Sequence, residues 1–318
     1  MEIISKSVLE NAVGGTSVSG IILVKNYNIQ LTKTNKEYVV GSLQSDKEIS
    51  FKAWGNSEAF SHLKNEEYHN MPSYITGKFD NYGGEISIVV ESVQAVDGYE
   101  PADFFPIVYN TDAYWDALKN LYNSRVSDKA KVLANKYLFD NAEVADKFKN
   151  EFAASGNHDN CKSGLLAHTF KVLSGLNLIY GTYPKLFFNA KDSVDQDFVD
   201  LIFFGGLMHD IGKTREMHYG VYQKESIVTH RYVGIEFVDK DEIVSTYSEM
   251  WYYNLVSIFL QHHGEFDDDC RTLAAWIVHK ADIFDSELTL MVQNVEKSFG
   301  SDETKKVKHN GKYLTLNF

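Results

Sequence analysis

Histidine and aspartate side chains recur within apolar stretches of the second half of the chain, and no other feature limits its fold as strongly. They are His168, the pair His209-Asp210, His230, the pair His262-His263, and Asp282. An ionisable side chain among apolar neighbours is costly unless something binds it. Imidazole nitrogens combined with carboxylate oxygens suit Mn, Fe, Co, Ni or Zn. The pattern therefore predicts a helical domain built around a metal centre.

Helical spacing places some of these donors on the faces that carry the core. His168 shares a face with Leu165 and Val172, and Asp282 shares one with Val278 and Asp285. A single histidine on an apolar face is usually an ordinary core or surface residue, and a helical aspartate is usually solvated or a cap. The combination of all these donors is what favours a metal site over coincidence.

The first hundred residues are rich in β-branched and aromatic side chains. Strands are predicted at 18–25, 38–43, 49–54, 74–79 and 85–90, with a short helix at 57–67 after the third strand. A hairpin turn is expected at residues 81–84, which contain two adjacent glycines. Three strands, a helix and a final hairpin follow the element order of an OB-fold, a small barrel that often binds single strands.

Several aromatic and basic side chains on these strands are candidates for a nucleic-acid-binding face. Bases would stack on the aromatic rings while lysines follow the phosphates. The alternative for each aromatic residue is that it fills the barrel, since alternation buries every second side chain. The candidates are Tyr38, Phe51, Lys52, Trp54, Lys78 and Tyr82.

A change of pattern marks the end of the β-rich part. Asp97-Gly98-Tyr99-Glu100-Pro101 interrupts the chain, and helical periodicity follows. We place the boundary near residue 98, which gives an OB-fold domain at 1–97 and an all-α domain at 98–318. The predicted class is thus α+β with two domains.

Composition restricts the surroundings of the protein. The net charge of −13 disfavours a broad nucleic-acid surface, although a narrow site whose metals supply positive charge stays open. Two cysteines favour a reducing compartment over a disulfide scaffold. No stretch approaches the roughly 20 apolar residues of a membrane span, and the first residues lack the apolar run of a signal peptide. We expect a soluble, cytoplasmic protein. Strand edges in the first domain make homo-oligomers an expectation.

Three motifs in the second half resemble the HD-domain metal-dependent phosphohydrolases. The segment 205–213, Gly-Gly-Leu-Met-His-Asp-Ile-Gly-Lys, resembles their signature; 164–169 resembles their first ligand helix, and 279–282 their final aspartate motif. The resemblance implies an all-α bundle in which one ion is bound by His168, His209, Asp210 and Asp282. A second ion would be bound by His230, His262 and His263, with Asp210 bridging the two. We expect Mn²⁺, with Fe, Co, Ni, Zn or Mg as alternatives.

The whole chain resembles the YhaM-type 3′→5′ exoribonucleases, which join an OB-fold to an HD domain. Residues 157–168 and 261–264 are similar to segments of that family, and His230 with Gly234 resembles its middle motif. The chain departs from the pattern at Asp159, where the family has a second histidine, and at 221–229, which lacks the expected leucine- and glycine-rich segment.

The resemblance implies hydrolysis of the terminal phosphodiester of single-stranded RNA, or of DNA, to nucleoside 5′-monophosphates. Two divalent ions would activate the attacking water and neutralise phosphate oxygens. Asp210, Lys213 and His158 are the candidate catalytic residues. Lys213 would place its ammonium on the scissile phosphate, or else it is a cation favoured by the end of a helix. His158 would contact the phosphate or the terminal sugar, or else has no function.

Two other functions stay open at this point. The chain could hydrolyse nucleotides or cyclic dinucleotides, with a regulatory OB-fold. It could also be a non-catalytic nucleic-acid-binding protein with a vestigial metal site. The intact set of donors disfavours the latter, and the appended OB-like domain favours a polymeric substrate over a small one.

Overall fold

The computed structural model describes residues 2–105, 108–154, 159–266, 268–298, 306–309 and 312–315. The chain divides into two compact units, Met1–Val108 and Tyr109–Phe318. No helix among the described residues is long and apolar enough to cross a bilayer. Cys161 and Cys270 are both free thiols.

The first unit is a closed five-stranded barrel preceded by a short helix. The elements are α1 (Lys6–Glu10), β1 (Ser17–Leu31), β2 (Glu37–Ser45), β3 (Lys47–Trp54), α2 (Glu58–Asn65), β4 (Met71–Tyr82) and β5 (Glu85–Ala95). The strands pair in the order β1-β2-β3-β5-β4, and β4 pairs with β1. This confirms the predicted OB-like fold, including the helix after the third strand.

Strand β1 closes the barrel because it takes part in two pairings. Its first half pairs with β4 and its second half with β2, and a bulge between Val24 and Asn26 lies where the pairing changes. A bulge bends a strand and raises its twist, which a small barrel requires. Each barrel strand therefore has a neighbour on both sides. The strand edges that motivated the expectation of a homo-oligomer are thus paired inside the barrel, and homo-oligomerisation stays a prediction.

The predicted nucleic-acid-binding residues divide between the inside and the outside of the barrel. Phe51 is only 2% exposed and belongs to the barrel core, so its assignment to a binding face is wrong. Successive side chains of a strand point to opposite faces, which places Lys52 and Trp54 on the outside. Trp54 lies opposite Tyr38 in the β2–β3 register, and their rings stack with centroids 5.2 Å apart.

The other candidates are also accessible on the outside. Tyr82, at the β4–β5 turn, is 80% exposed, and the Lys52 ammonium lies 5.9 Å from the centre of its ring. Lys78 is exposed and pairs with Glu91 at 3.6 Å. The structure thus leaves Tyr38, Lys52, Trp54, Lys78 and Tyr82 accessible, and their contact with nucleic acid stays a prediction.

The first unit extends about ten residues beyond the predicted boundary. A 3₁₀ turn at Pro101–Phe104 belongs to it, and Phe104 is buried. The Phe104 carbonyl accepts a hydrogen bond from the Asp46 backbone N–H at 2.7 Å. The first unit therefore ends at Val108 and not near residue 98, because Pro101–Phe104, which follow the break in the strand pattern, are still attached to the barrel.

The second unit is helical. The helices are α3 (Thr111–Asn123), α4 (Asp128–Ala134), α5 (Ala142–Asn150), α6 (Gly164–Thr182), α7 (Gln196–Met208), α8 (Lys213–Glu216), α9 (Thr229–Ile235), α10 (Lys240–Thr246), α11 (Glu249–Gln261) and α12 (Leu273–Ser298). The core lies between four long helices, α6, α7, α11 and α12, whose facing side chains such as Leu173, Ile202, Ile258 and Val278 are fully buried.

Two small hairpins accompany the helices. The first joins β6 (Met217–His218) to β7 (Val221–Tyr222) between α8 and α9. The second pairs β8 (Lys306–His309) with β9 (Lys312–Thr315) near the end of the chain. The domain predicted as all-α is therefore helical with two minor hairpins.

Candidate metal centre

Five segments that are distant in the sequence bring the predicted metal ligands together. His168 lies on α6, His209 and Asp210 in the turn after α7, and His230 at the start of α9. His262 and His263 follow α11, and Asp282 lies on α12. The potential ligand atoms of these predicted residues form two groups, and the atoms of each group lie within 4.8 Å of one another. The first group is His168, His209 and Asp282, and the second is Asp210, His230, His262 and His263.

Close packing of the backbone around Gly212 brings Asp210 near His230. A Cβ atom at Gly212 would lie 2.0 Å from the carbonyl oxygen of His230. Only glycine therefore permits α8 to approach α9 this closely. Thr229, which precedes His230, has a φ of 63°, a conformation that costs a β-branched residue free energy and is often found at functional sites.

The two carboxylate oxygens of Asp210 face different groups. Oδ1 lies 3.4 Å from His230 Nε2 and 3.5 Å from His262 Nε2. Oδ2 lies 3.5 Å from both His168 Nε2 and His209 Nε2. Ligand atoms about 2.0–2.2 Å from a shared ion lie about 3–3.6 Å from one another. The geometry therefore suits the bridging position that the family resemblance implies for Asp210.

The ring orientation of four histidines is fixed by oxygen acceptors. Nδ1 of His209 donates to the Gly206 carbonyl at 2.9 Å, and Nδ1 of His262 to that of Phe259 at 3.0 Å. Nδ1 of His168 faces Asp285 at 2.7 Å, and Nδ1 of His230 faces Glu216 at 2.9 Å. A proton on Nδ1 leaves the Nε2 lone pair of each neutral ring directed at the centre, as in metal-binding histidines.

Unpartnered polar atoms show that the residues fit a metal ion. Asp210 Oδ1, His230 Nε2 and His262 Nε2 are buried, and none has a hydrogen-bond partner among the described residues. Each unsatisfied buried group costs about 1–3 kcal/mol. All three lie in the second group, and together with His263 they form an imidazole and carboxylate set that suits a divalent transition metal. Their role as ligands stays a prediction.

The first group has a different electrostatic character. Burial lowers the pKa of His168, but its hydrogen bonds to Asp282 and Asp285 outweigh burial and raise that pKa to about 10. His168 Nε2 lies 3.2 Å from Asp282 Oδ1 and 3.2 Å from His209 Nε2. Burial lowers the pKa of His209. Negative potential is therefore concentrated at Nε2 of His168, where a proton or a metal cation is stabilised.

Lys213 neutralises part of this negative charge. Its ammonium lies 2.6 Å from Asp210 Oδ2, and its side chain is only 14% exposed. Burial raises the pKa of Asp210, but Lys213 and the neighbouring histidines hold it well below its usual range. Lys213 is thus at the centre, as predicted, and its contact with a phosphate stays a prediction. His158, the remaining catalytic candidate, lies outside the described residues.

Two carboxylates that hold histidine rings were not assigned a role from the sequence. Glu216 accepts from both the backbone N–H and Nδ1 of His230, each at 2.9 Å. Asp285 faces His168 Nδ1 and also pairs with Lys171 at 3.1 Å. The sequence could have indicated a role for Asp285, because it lies three residues after Asp282 on the same inward helical face. No sequence pattern indicated a role for Glu216.

A third group of possible donors is already bridged by a lysine. It consists of Asp159, His168 and Asp285. The Lys171 ammonium lies 2.7 Å from Asp159 and 3.1 Å from Asp285, and Tyr109 donates to Asp159. We therefore interpret this group as support for the His168 ring.

Replacing Asp285 with asparagine should weaken metal binding about 10–100-fold, because the carboxylate that orients His168 and raises its basicity is lost. Competition with a fluorescent chelator measures the affinity. Glu287→Gln, on an exposed position of the same helix, is the matched control and should bind metal like the wild type. An unchanged affinity in folded Asp285→Asn would show that Asp285 does not support a ligand.

The donors of this centre lie in the part of the chain that matches a known protein family. Residues 165–287, which include every donor of the two groups, match the family model described as HD domain. The predicted resemblance to HD-domain proteins is thus confirmed for this segment.

Similarity to individual proteins extends over both units. The chain is 24% identical over 302 residues to the 3′-5′ exoribonuclease YhaM of Shouchella clausii. The matched region covers 89% of this chain and 88% of that protein. It is 25% identical over 308 residues to the 3′-5′ exoribonuclease YhaM of Listeria monocytogenes, with 90% of each chain covered. The match to the protein of that name from Oceanobacillus iheyensis is 22% identical over 304 residues.

Proposed function

We propose that this protein is a metal-dependent 3′→5′ exonuclease that hydrolyses single-stranded RNA to nucleoside 5′-monophosphates, with single-stranded DNA as an alternative substrate. The observation that carries the proposal is the position of Asp210 between two groups of donors. A polymeric substrate is supported by relatives named 3′-5′ exoribonucleases, whose similarity covers the barrel as well as the helical unit.

The residues of the centre suit phosphodiester hydrolysis. His168, His209 and Asp282 would hold one divalent ion, and His230, His262 and His263 the other, with Asp210 shared. Bound ions would supply an activated water and neutralise the non-bridging phosphate oxygens. Lys213 would bring a fixed positive charge to the phosphate as negative charge develops in the transition state. Glu216 and Asp285 would keep the rings of His230 and His168 in place.

The barrel would hold the strand. Tyr38, Trp54 and Tyr82 offer ring faces on its outside, and Lys52 and Lys78 offer ammonium groups. Stacking tolerates any base because every base has a π-face. This division of labour predicts that changes on the barrel affect the binding of long substrates more than the cleavage of short ones.

Replacing Trp54 with alanine should weaken the binding of a 20-nucleotide RNA about 5–150-fold, since stacking contributes about 1–3 kcal/mol per base. Cleavage of a dinucleotide should stay unchanged. Fluorescence anisotropy measures the binding. Trp276→Ala removes a similarly exposed indole from the helical unit and serves as the matched control. An equal loss on long and short substrates would point to a structural role for Trp54.

A hydrolase of nucleotides or cyclic dinucleotides is the second candidate. The observation that favours it is the size of the cavity at the centre, about 310 Å³, which is small for a polymer-binding site. In that case the protein would hydrolyse free nucleotides and leave RNA and DNA strands uncut.

A single assay separates the two candidates. Single-stranded RNA and DNA labelled at the 5′ end are incubated with Mn²⁺, Mg²⁺ or EDTA, and the products are resolved by size. The proposal expects a ladder, mononucleotide products, no reaction in EDTA, and inhibition by a 3′-terminal hairpin but not by a 5′ block. Cleavage of a circular single strand would refute the exonuclease assignment.

A further inference from the structure

We propose that the cavity beside the second donor group binds one nucleotide, with the ring of Tyr222 stacking on its base. This inference rests on the proposed function, and it adds Tyr222 as a residue that binds the base. The cavity measures about 310 Å³. Its lining includes His230, His263, Lys213, Ala153, Ala154 and Tyr222.

The cavity is polar and buried at one end and open at the other. Lys213 and His230 have side chains that are only 14% and 10% exposed, and both belong to the metal centre. Tyr222 is 58% exposed. A nucleotide with its phosphate at the metal centre would therefore place its base towards Tyr222.

Tyr222 offers an unused ring face. Within the described residues neither its ring nor its hydroxyl has a stacking or hydrogen-bonding partner that would occupy it. A large aromatic side chain that stays exposed beside a polar site is a common platform for bases. Ala153 and Ala154 line the same cavity, and their small side chains leave room for a flat ring.

The hairpin that carries Tyr222 is anchored to the segment that carries the two alanines. The Glu151 carboxylate accepts hydrogen bonds from the backbone N–H groups of Gly220 and Phe152, both at 2.9 Å. The ring of Tyr219 packs on that of Phe152 at 6.2 Å. Gly220 has a φ of 75°, and a Cβ atom there would lie 2.8 Å from the Phe152 ring.

These contacts join the hairpin of Tyr222 to the segment of the two alanines. A site whose walls are joined in this way loses little conformational entropy on binding. Its volume lies at the lower end of the range of about 300–1,000 Å³ for ligand pockets, which suits a single nucleotide better than an oligonucleotide. The cleft therefore holds one nucleotide at a time and accepts any base.

The test compares the binding of adenosine 5′-monophosphate with that of ribose 5-phosphate, which lacks the base. Calorimetry on the Mn²⁺-loaded full-length protein gives both dissociation constants. Wild type should bind the nucleotide about 5–150-fold more tightly, the factor that corresponds to stacking of one base. Tyr222→Ala should lose this preference, whereas Tyr222→Phe should retain it because the ring remains. Tyr253→Ala, at a position 51% exposed on α11, is the matched control.

A preference that persists in Tyr222→Ala, or no preference or no nucleotide binding in the wild type, would overturn the inference. Failure of the proposed function is recognised separately: the wild type would leave RNA and DNA uncut while Tyr222→Ala still loses the preference for the nucleotide. A strand with an abasic 3′-terminal residue extends the test, since it should bind wild type and Tyr222→Ala equally well.

Discussion

Replacing Asp210 with asparagine is expected to lower the rate of RNA hydrolysis about 10³-fold or more. The two oxygens of Asp210 lie 3.4–3.5 Å from ring nitrogens of both donor groups. An amide keeps one oxygen but turns an NH₂ group towards the other donors, and it removes the negative charge from both groups. Metal ions contribute several kcal/mol to the transition state of such reactions, and each 1.36 kcal/mol corresponds to a factor of ten.

The measurement combines single-turnover rates on 5′-labelled RNA with elemental analysis of the purified protein. Asp197→Asn is the matched control, since Asp197 lies on the preceding helix α7 with its side chain 55% exposed. The control should keep the wild-type rate and metal content. A wild-type rate in folded Asp210→Asn would contradict the role assigned to the bridging carboxylate.

Replacing His230 with alanine is expected to remove one equivalent of metal and most of the activity. His230 Nε2 belongs to the second group alone, where it faces Asp210 Oδ1 at 3.4 Å. The first group, with His168, His209 and Asp282, keeps all its donors in this variant. We expect a loss of rate of about 10²–10³-fold, since one of the two ions no longer stabilises the developing charge.

The reciprocal variant makes this result interpretable. His209→Ala should also lose one equivalent, but from the first group, and the double variant should lose both. His62→Ala, on helix α2 of the barrel, is the control and should retain two equivalents. If His230→Ala keeps the wild-type metal content, His230 is not a ligand.

The architecture was predictable because its signals are local. Alternating strands, the Gly83-Gly84 turn and the helix after the third strand each depend on neighbouring residues, and together they predicted the barrel. The same alternation could have excluded Phe51 from the binding face, since Lys52 and Trp54 must point the other way. The boundary was not predictable from local pattern, because Phe104 is held by Asp46, which lies far back in the sequence.

The donors of the metal centre were also visible in the sequence, as were the motifs that resemble HD-domain proteins. A charged or polar side chain in an apolar helix is conspicuous wherever it occurs, and so the sequence by itself determined which residues are candidates. It determined as well that the protein combines a β-rich and a helical part.

Only the tertiary structure decided how these donors are arranged. His168 meets Asp285 across 117 residues, and the position of Asp210 between two groups depends on where α7 and α11 end and where α9 begins. The Tyr222 cleft depends on a carboxylate of Glu151 that lies 69 residues before Gly220. Such contacts follow from the packing of whole helices, which is a collective property of the core, whereas residue spacing reports only the face of the element on which a side chain lies.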